Sequence, residues 1–209
     1  SARSSDAAAQ ALKEVLPRVL RHFGNALVRG DSDFDRCDIF NAAIDEGAYF
    51  AIGARVYPNR AALVEAIAEK NWKPFFPRAE REERGRPSRR VYTRNWRRQK
   101  AAERGYRRLR TVKQWLSEID YQPHGLASAC RMIVRRVLIE ETDGQGALFT
   151  HFRYRLVLTN LPRSYTAREV IDLTYQRCDQ ENVIEQFGQG IAGWRMPVAE
   201  FRGNSAWLQ

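Results

Sequence analysis

Apolar residues in the first third of the chain recur at spacings of three and four, with short apolar runs between them. The series over 12–23 predicts an amphipathic helix that contains Pro17. The run over 26–28 predicts a buried strand, and the polar turn 29–34 after it opens a helix over 39–44. Helix and strand therefore alternate in this segment.

The same alternation continues through residues 48–67. The apolar run over 48–54 predicts a second buried strand, and Asn59 opens another short helix. This order favours an α/β fold with a mostly parallel sheet. Asp31 then lies at the carboxyl end of the first strand, where open α/β sheets place their sites.

The pattern changes after Trp72. Leucine, valine and isoleucine at positions spaced over 109–119 predict an amphipathic helix. Two runs rich in β-branched and aromatic residues, 132–141 and 149–159, predict an antiparallel hairpin. A long helix is expected over about 167–187, after a capping Ser or Thr.

These elements predict three segments within the 209 residues. With 44% apolar residues, the chain is long enough to bury a large core. We expect residues 1–70 and 151–209 to form two parts of one α/β core. Residues 71–150 would form a basic inserted region that contains a helix and a β-hairpin.

Positive charge is concentrated in one part of the chain. Lys and Arg total 35 against 25 Asp and Glu, and residues 78–113 alone hold 15 basic and 4 acidic side chains. A focused excess of this kind attracts a polyanion, and aromatic rings between the arginines offer stacking surfaces. The alternative is a solvated charge run. The predicted nucleic-acid-binding residues here are Arg89, Arg90, Arg94, Trp96, Arg97, Arg98, Arg107 and Arg108.

Other classes of protein are disfavoured by composition. No apolar run approaches the roughly 20 residues that cross a bilayer. The three cysteines, Cys37, Cys130 and Cys178, have no short spacing, which argues against a disulfide framework or a zinc site. The sequence therefore predicts a cytoplasmic protein that does not contact a membrane.

Two carboxylates stand out by their context. Asp31 follows a predicted strand, and Glu181 lies within the predicted long helix. Carboxylates from separate segments are what a Mg²⁺ site needs, because hard cations prefer oxygen ligands. Each also has an ordinary explanation, since Asp31 can cap a helix and Glu181 can pair with Arg177 four residues before it.

Three blocks in this order carry a family resemblance. They read VRGDSDF at 28–34, LTNLP at 158–162 and RCDQENVI at 177–184, with a weaker block, NSAW, at 204–207. In order and spacing the chain resembles bacterial insertion-sequence transposases of the DDE class. That resemblance implies an RNase H-like core of the retroviral-integrase type, with a Tyr/Arg/Glu signature on a helix.

The resemblance also implies roles for individual residues. Asp31 would be the second and Glu181 the third acid of the catalytic triad, both binding Mg²⁺ or Mn²⁺, while Tyr175 and Arg177 would contact DNA. The reaction would be cleavage and strand transfer at transposon ends. Its partners would be double-stranded DNA of the ends and the target, and a second copy of the chain, at the nucleoid.

The chain departs from the family pattern at several positions. Thr174 occupies the place of the signature tyrosine, Tyr175 comes one position later, and Gly188 stands where a basic residue is expected. No predicted strand precedes Ser5 to carry the first aspartate. We therefore expect a core that is incomplete at its N-terminus, from a fragment or a decayed copy, and inactive as this chain alone.

Two other functions stay open at this point. The chain could be a non-catalytic nucleic-acid-binding protein that uses only the Arg-rich segment. It could also be another RNase H-like nuclease, in which Asp33 or Asp35 completes the site beside Asp31.

Overall fold

The fold is given by a computed structural model, which describes residues 7–77, 108–142 and 148–175. Nearly all of them belong to one compact unit, Ser1–Thr174, and a second unit comprises Tyr175–Gln209. The strands are β1 (Leu27–Gly30), β2 (Tyr49–Ala54), β3 (Lys73–Pro74), β4 (Arg108–Tyr121), β5 (Cys130–Thr142) and β6 (Leu148–Thr159). The α-helices among the described residues are α1 (Ala8–Phe23), α2 (Cys37–Asp45), α3 (Pro58–Glu65) and α4 (Ala167–Tyr175).

The six strands form one mixed sheet in the order β1-β2-β6-β5-β4-β3. Only β1 and β2 pair in parallel, because α2 connects them as a crossover, and the other four neighbouring pairs are antiparallel. The predicted α/β class and the hairpin of β5 and β6 are confirmed. The prediction of a mostly parallel sheet is wrong, since the long strands β4, β5 and β6 are antiparallel to each of their neighbours.

The predicted helix over 109–119 is also wrong, because these residues lie in β4. Thr111, Trp115 and Tyr121 belong to the β-branched and aromatic types that strands favour. A register shift between Thr111 and Lys113 changes which side chains share a face of the sheet. Leu116 lies opposite Arg135 and Ile119 opposite Met132, so apolar side chains of β4 lie on both faces of the sheet, and their combined spacing imitates that of a helix.

One face of the sheet carries the main core. The rings of Phe40 in α2 and Phe50 in β2 stack with centroids 4.9 Å apart, and Met132 and Leu158 pack in the same cluster. Because side chains alternate along a strand, the even-numbered residues of β5 and β6 lie on this helix-side face. Their odd-numbered residues lie on the opposite face.

The helix boundaries follow local chemistry. Gly24 ends α1 with a φ of 72°, a left-handed conformation suited to glycine, and its N–H donates to the Leu20 carbonyl. At the start of α4, the Thr166 hydroxyl accepts from the Glu169 N–H, and the Glu169 carboxylate accepts from the Thr166 N–H at 2.8 Å. This start confirms the predicted beginning of the long helix, whose remainder lies outside the described residues.

The predicted inserted region contributes to the same sheet as the predicted core. β3, β4 and β5 come from residues 71–150, and β5 pairs with β6 from the last segment. The division into 1–70, 71–150 and 151–209 stays a prediction.

Candidate catalytic carboxylate and basic surfaces

Asp31 lies directly after β1, as the sequence predicts. It begins a 3-10 turn over Ser32–Phe34, and its Oδ1 accepts a hydrogen bond from the Asp33 N–H at 2.9 Å. The Phe34 N–H donates to the Asp31 carbonyl at 3.1 Å. The side chain therefore caps the turn, which is the alternative role that the sequence offered for Asp31.

Two glycines allow this turn to pack closely on the sheet. A Cβ on Gly30 would lie 3.0 Å from the Cβ of Phe34, and one on Gly53 would lie 3.4 Å from the Ser32 nitrogen. The same Cβ on Gly53 would lie 3.6 Å from the Asp31 Cα. The Asp31 backbone is therefore held against β2, which is the rigid placement that a catalytic carboxylate requires.

Asp35, in the same loop, is committed to a structural ion pair. Its side chain is 1% exposed and lies against the Arg60 guanidinium, which donates to both carboxylate oxygens. The Arg55 N–H also donates to it, at 2.9 Å. Burial works to lower the pKa of Arg60, but hydrogen bonds to Asp35 and Tyr121 raise that pKa above its ordinary value. Arg60 therefore stays charged and neutralises Asp35.

Asp33 is exposed and is paired as well. Its Oδ1 accepts from the Arg55 guanidinium at 2.6 Å. The two carboxylates proposed as alternatives to complete the site are therefore both bound by arginine. Asp31, by contrast, caps its turn and is held at the end of β1.

Arg29 was not singled out from the sequence, and it joins two segments of the proposed site. It lies in β1, two residues before Asp31, and its guanidinium donates to the Leu173 carbonyl in α4 at 2.9 Å. The two residues are 144 positions apart, so no local sequence signal could have identified this contact. The last described turns of α4 are thereby attached to the strand that precedes Asp31.

The remaining predicted site residues have limited structural description. Tyr175 is the last residue of α4, and Arg108 is the first residue of β4, paired in register with Thr142. The residues that lie outside the described ranges are Glu181, Arg177, Arg89, Arg90, Arg94, Trp96, Arg97, Arg98 and Arg107. The pairing of Asp31 with Glu181 therefore stays a prediction.

Sequence reasoning also missed a second basic surface. Lys73 in β3, Arg135 in β5, and Arg153 and Arg155 in β6 lie on the sheet face opposite the main core, and we call these four residues the arginine face. The spacing of two between Arg153 and Arg155 predicts a shared face once a strand is assumed. That Arg135 and Lys73 lie on the same face can be known only from the register of β5 and β3.

Two features are absent from the described residues. Within 7–77, 108–142 and 148–175, no three His, Cys, Asp or Glu side chains are grouped so as to hold a metal ion. In the same part of the chain, no helix has the length and apolar character that crossing a membrane requires. Asp31 supplies carboxylate oxygens, the donors that Mg²⁺ prefers, but a site there needs at least one further ligand.

Comparison with known proteins identifies a family. The family model described as transposase DDE domain, group 1, matches residues 1–209, the full length of the chain. No curated protein matches the chain.

Proposed function

The chain belongs to the DDE transposase domain family of group 1, and from this membership we propose that it carries the catalytic core of a bacterial insertion-sequence transposase. The family implies a transposition-related nuclease activity with DNA as substrate. In detail, we propose an RNase H-like core that cleaves transposon ends and joins them to target DNA at the nucleoid. A homodimer acting on paired ends is part of the same proposal.

Asp31 is the observation that carries this proposal. It lies at the end of β1, within the first of the three blocks that resemble the family, and a packed turn holds its backbone against β2. We assign Asp31 and Glu181 as the carboxylates that would hold Mg²⁺ or Mn²⁺. Such an ion, when bound, activates the attacking oxygen and stabilises the leaving oxygen of a phosphodiester.

Arg29 links the strand before Asp31 to the helix that precedes Glu181 in the sequence. Its hydrogen bond to the Leu173 carbonyl attaches α4 to β1, and Arg177 and Glu181 follow α4 directly in the sequence. The chain thereby brings the segment before the proposed signature to the strand before Asp31. In this proposal Arg177 and Tyr175 contact the DNA beside the two acids.

The Arg-rich part of the proposed inserted region would hold the DNA. In residues 78–113, basic side chains outnumber acidic ones by 11. Arginine suits phosphate because its planar guanidinium donates two parallel hydrogen bonds. This electrostatic attraction requires no metal ion. DNA binding and metal binding are therefore separable by experiment.

The test is Mn²⁺ binding by the full 209-residue chain in the presence of duplex DNA, followed by electron paramagnetic resonance. We expect Asp31→Asn and Glu181→Gln each to weaken Mn²⁺ binding on the order of tenfold or more, since loss of even an outer contact costs about that much. Asp33→Asn is the matched control in the same turn and should bind Mn²⁺ as the unmodified chain does. All variants should keep their DNA affinity in EDTA.

Other results would redirect the assignment. Undiminished Mn²⁺ binding in Asp31→Asn, with DNA binding intact, would leave a non-catalytic DNA-binding protein. Loss of Mn²⁺ binding in Asp33→Asn, with Mn²⁺-dependent nicking of plasmid DNA by the unmodified chain, would instead favour an RNase H-like nuclease.

A further inference from the structure

Three residues of the arginine face lie in one row across β3, β4, β5 and β6, to which β4 contributes the buried Leu116. Lys73 lies opposite Leu116, Leu116 opposite Arg135, and Arg135 opposite Arg155. With strands about 4.8 Å apart, this row extends about 14 Å from Lys73 to Arg155. Arg153 lies on the same face, about 7 Å along β6 from Arg155.

This arrangement places like charges together. Arg135 and Arg155 are direct register partners in an antiparallel pair, where like charges destabilise a sheet. Lys73, Arg153 and Arg155 are exposed, and among the described residues none of the three forms a salt bridge with a carboxylate. The charge of these three side chains is therefore not neutralised by the described part of the fold.

Two other arginines of β5, Arg131 and Arg136, are buried and pair with carboxylates. Arg131 donates to the Glu118 carboxylate at 2.5 Å and to the Leu161 carbonyl at 3.2 Å, and Arg136 donates to Glu69 at 2.8 Å. Both are buried, at 6% and 7% exposure. Arg153 and Arg155 are exposed, and neither has a carboxylate partner within the part of the chain that the structure describes.

We propose that the arginine face binds the phosphate backbone of double-stranded DNA, in addition to the Arg-rich segment 78–113. The row is about as long as the major groove of B-DNA is wide, about 12 Å, so its two ends can reach phosphates on both strands. Contacts of this kind position a duplex without reading its sequence. The choice of DNA as the polyanion rests on the proposed function.

The test measures affinity for a labelled duplex of random sequence across a range of salt concentrations, in EDTA, with the full chain. We compare Arg153→Gln/Arg155→Gln with Arg18→Gln/Arg21→Gln, which removes the same charge from exposed positions on α1. Each phosphate contact contributes about 0.9 to the slope of log affinity against log salt, so the β6 variant should lose about 1.8 from that slope. The α1 variant should keep the slope of the unmodified chain.

Stability distinguishes a binding role from a structural one. Removing the charge opposite Arg135 relieves repulsion, so the urea midpoint of the β6 variant should equal or exceed that of the unmodified chain. A midpoint that falls together with the affinity would assign these arginines to the fold and overturn the proposal.

The remaining outcomes separate this proposal from the function on which it rests. An unmodified chain that binds no duplex would overturn both. Binding with an equal slope in the β6 variant would overturn the arginine face alone, with the roles of Asp31 and Glu181 untouched. A larger loss for a single-stranded RNA probe than for the duplex would reject DNA as its partner.

Discussion

Arg135 and Arg136 are neighbours in β5 and lie on opposite faces of the sheet. The guanidinium of Arg136 lies 4.3 Å from the centroid of the Trp72 ring, and it donates two hydrogen bonds to Glu69. Arg135 lies opposite Arg155, donates to the neutral Gln114 side chain, and has its guanidinium 5.3 Å from the centroid of the Phe75 ring. Its face also buries Arg131 beside Glu118, but at Arg153 and Arg155 it carries exposed positive charge. Composition and charge counts do not separate these roles. The contacts of each side chain do.

The largest expected effect is on the helix-side face, at Asp35. Asp35→Asn removes the charge that pairs with the buried Arg60, and loss of one partner of a buried ion pair costs about 3–5 kcal/mol of unfolding free energy. Asp31→Asn, in the same loop, keeps a capping side chain and should change stability by less than about 0.5 kcal/mol. Urea denaturation measures both values. Equal losses in the two variants would contradict the distinction between the ion-paired Asp35 and the capping Asp31.

The second prediction compares the loss of stability when one arginine is removed from each face of the sheet. Arg136→Ala removes a buried stem and its stacking on Trp72 and Trp115, and we expect a loss of about 2–4 kcal/mol. Arg155→Ala should stay within about 0.5 kcal/mol of the unmodified chain, since the side chain is exposed. Calorimetric or urea unfolding decides between them. The comparison fails if Arg155→Ala is the more damaging change.

The smallest effect is a pH dependence confined to the helix-side face. The hydrogen bond from Arg136 holds the pKa of the Glu69 carboxyl below its ordinary value of 4.5. The stabilisation is therefore complete above pH 4.5 and is lost as the pH falls through the lowered pKa. Urea midpoints between about pH 3 and pH 7 should depend less on pH in Glu69→Gln. Arg153→Gln/Arg155→Gln should leave that profile unchanged, and a matching loss there would contradict the assignment.

The sequence was sufficient where short segments determine the structure. The apolar run before Arg29 and the turn with Gly30, Asp31 and Ser32 predict a strand end that bears a carboxylate, and the structure confirms it. The strong β propensity of residues 149–159 likewise predicts β6. In both cases neighbours in the sequence supply most of the information.

The sequence was insufficient where the register or distant contacts decide. Apolar residues on both faces of β4 give it the spacing of a helix, and the contact of Arg29 with Leu173 spans most of the chain. The arginine face likewise depends on which residues of β3, β5 and β6 lie side by side. These features come from pairing between segments, which a single sequence does not display.

The unbroken pairing of β5 with β6 also restricts how this gene can change in length. The two strands stay in register over twelve residue pairs, from Arg131 with Thr159 to Thr142 with Leu148. Inserting or deleting one codon within either strand would exchange the faces of every residue beyond it, and would turn Arg153 and Arg155 inward while exposing Tyr154. Relatives of this chain should therefore vary in length at 143–147, between the strands, and tolerate only substitutions within them.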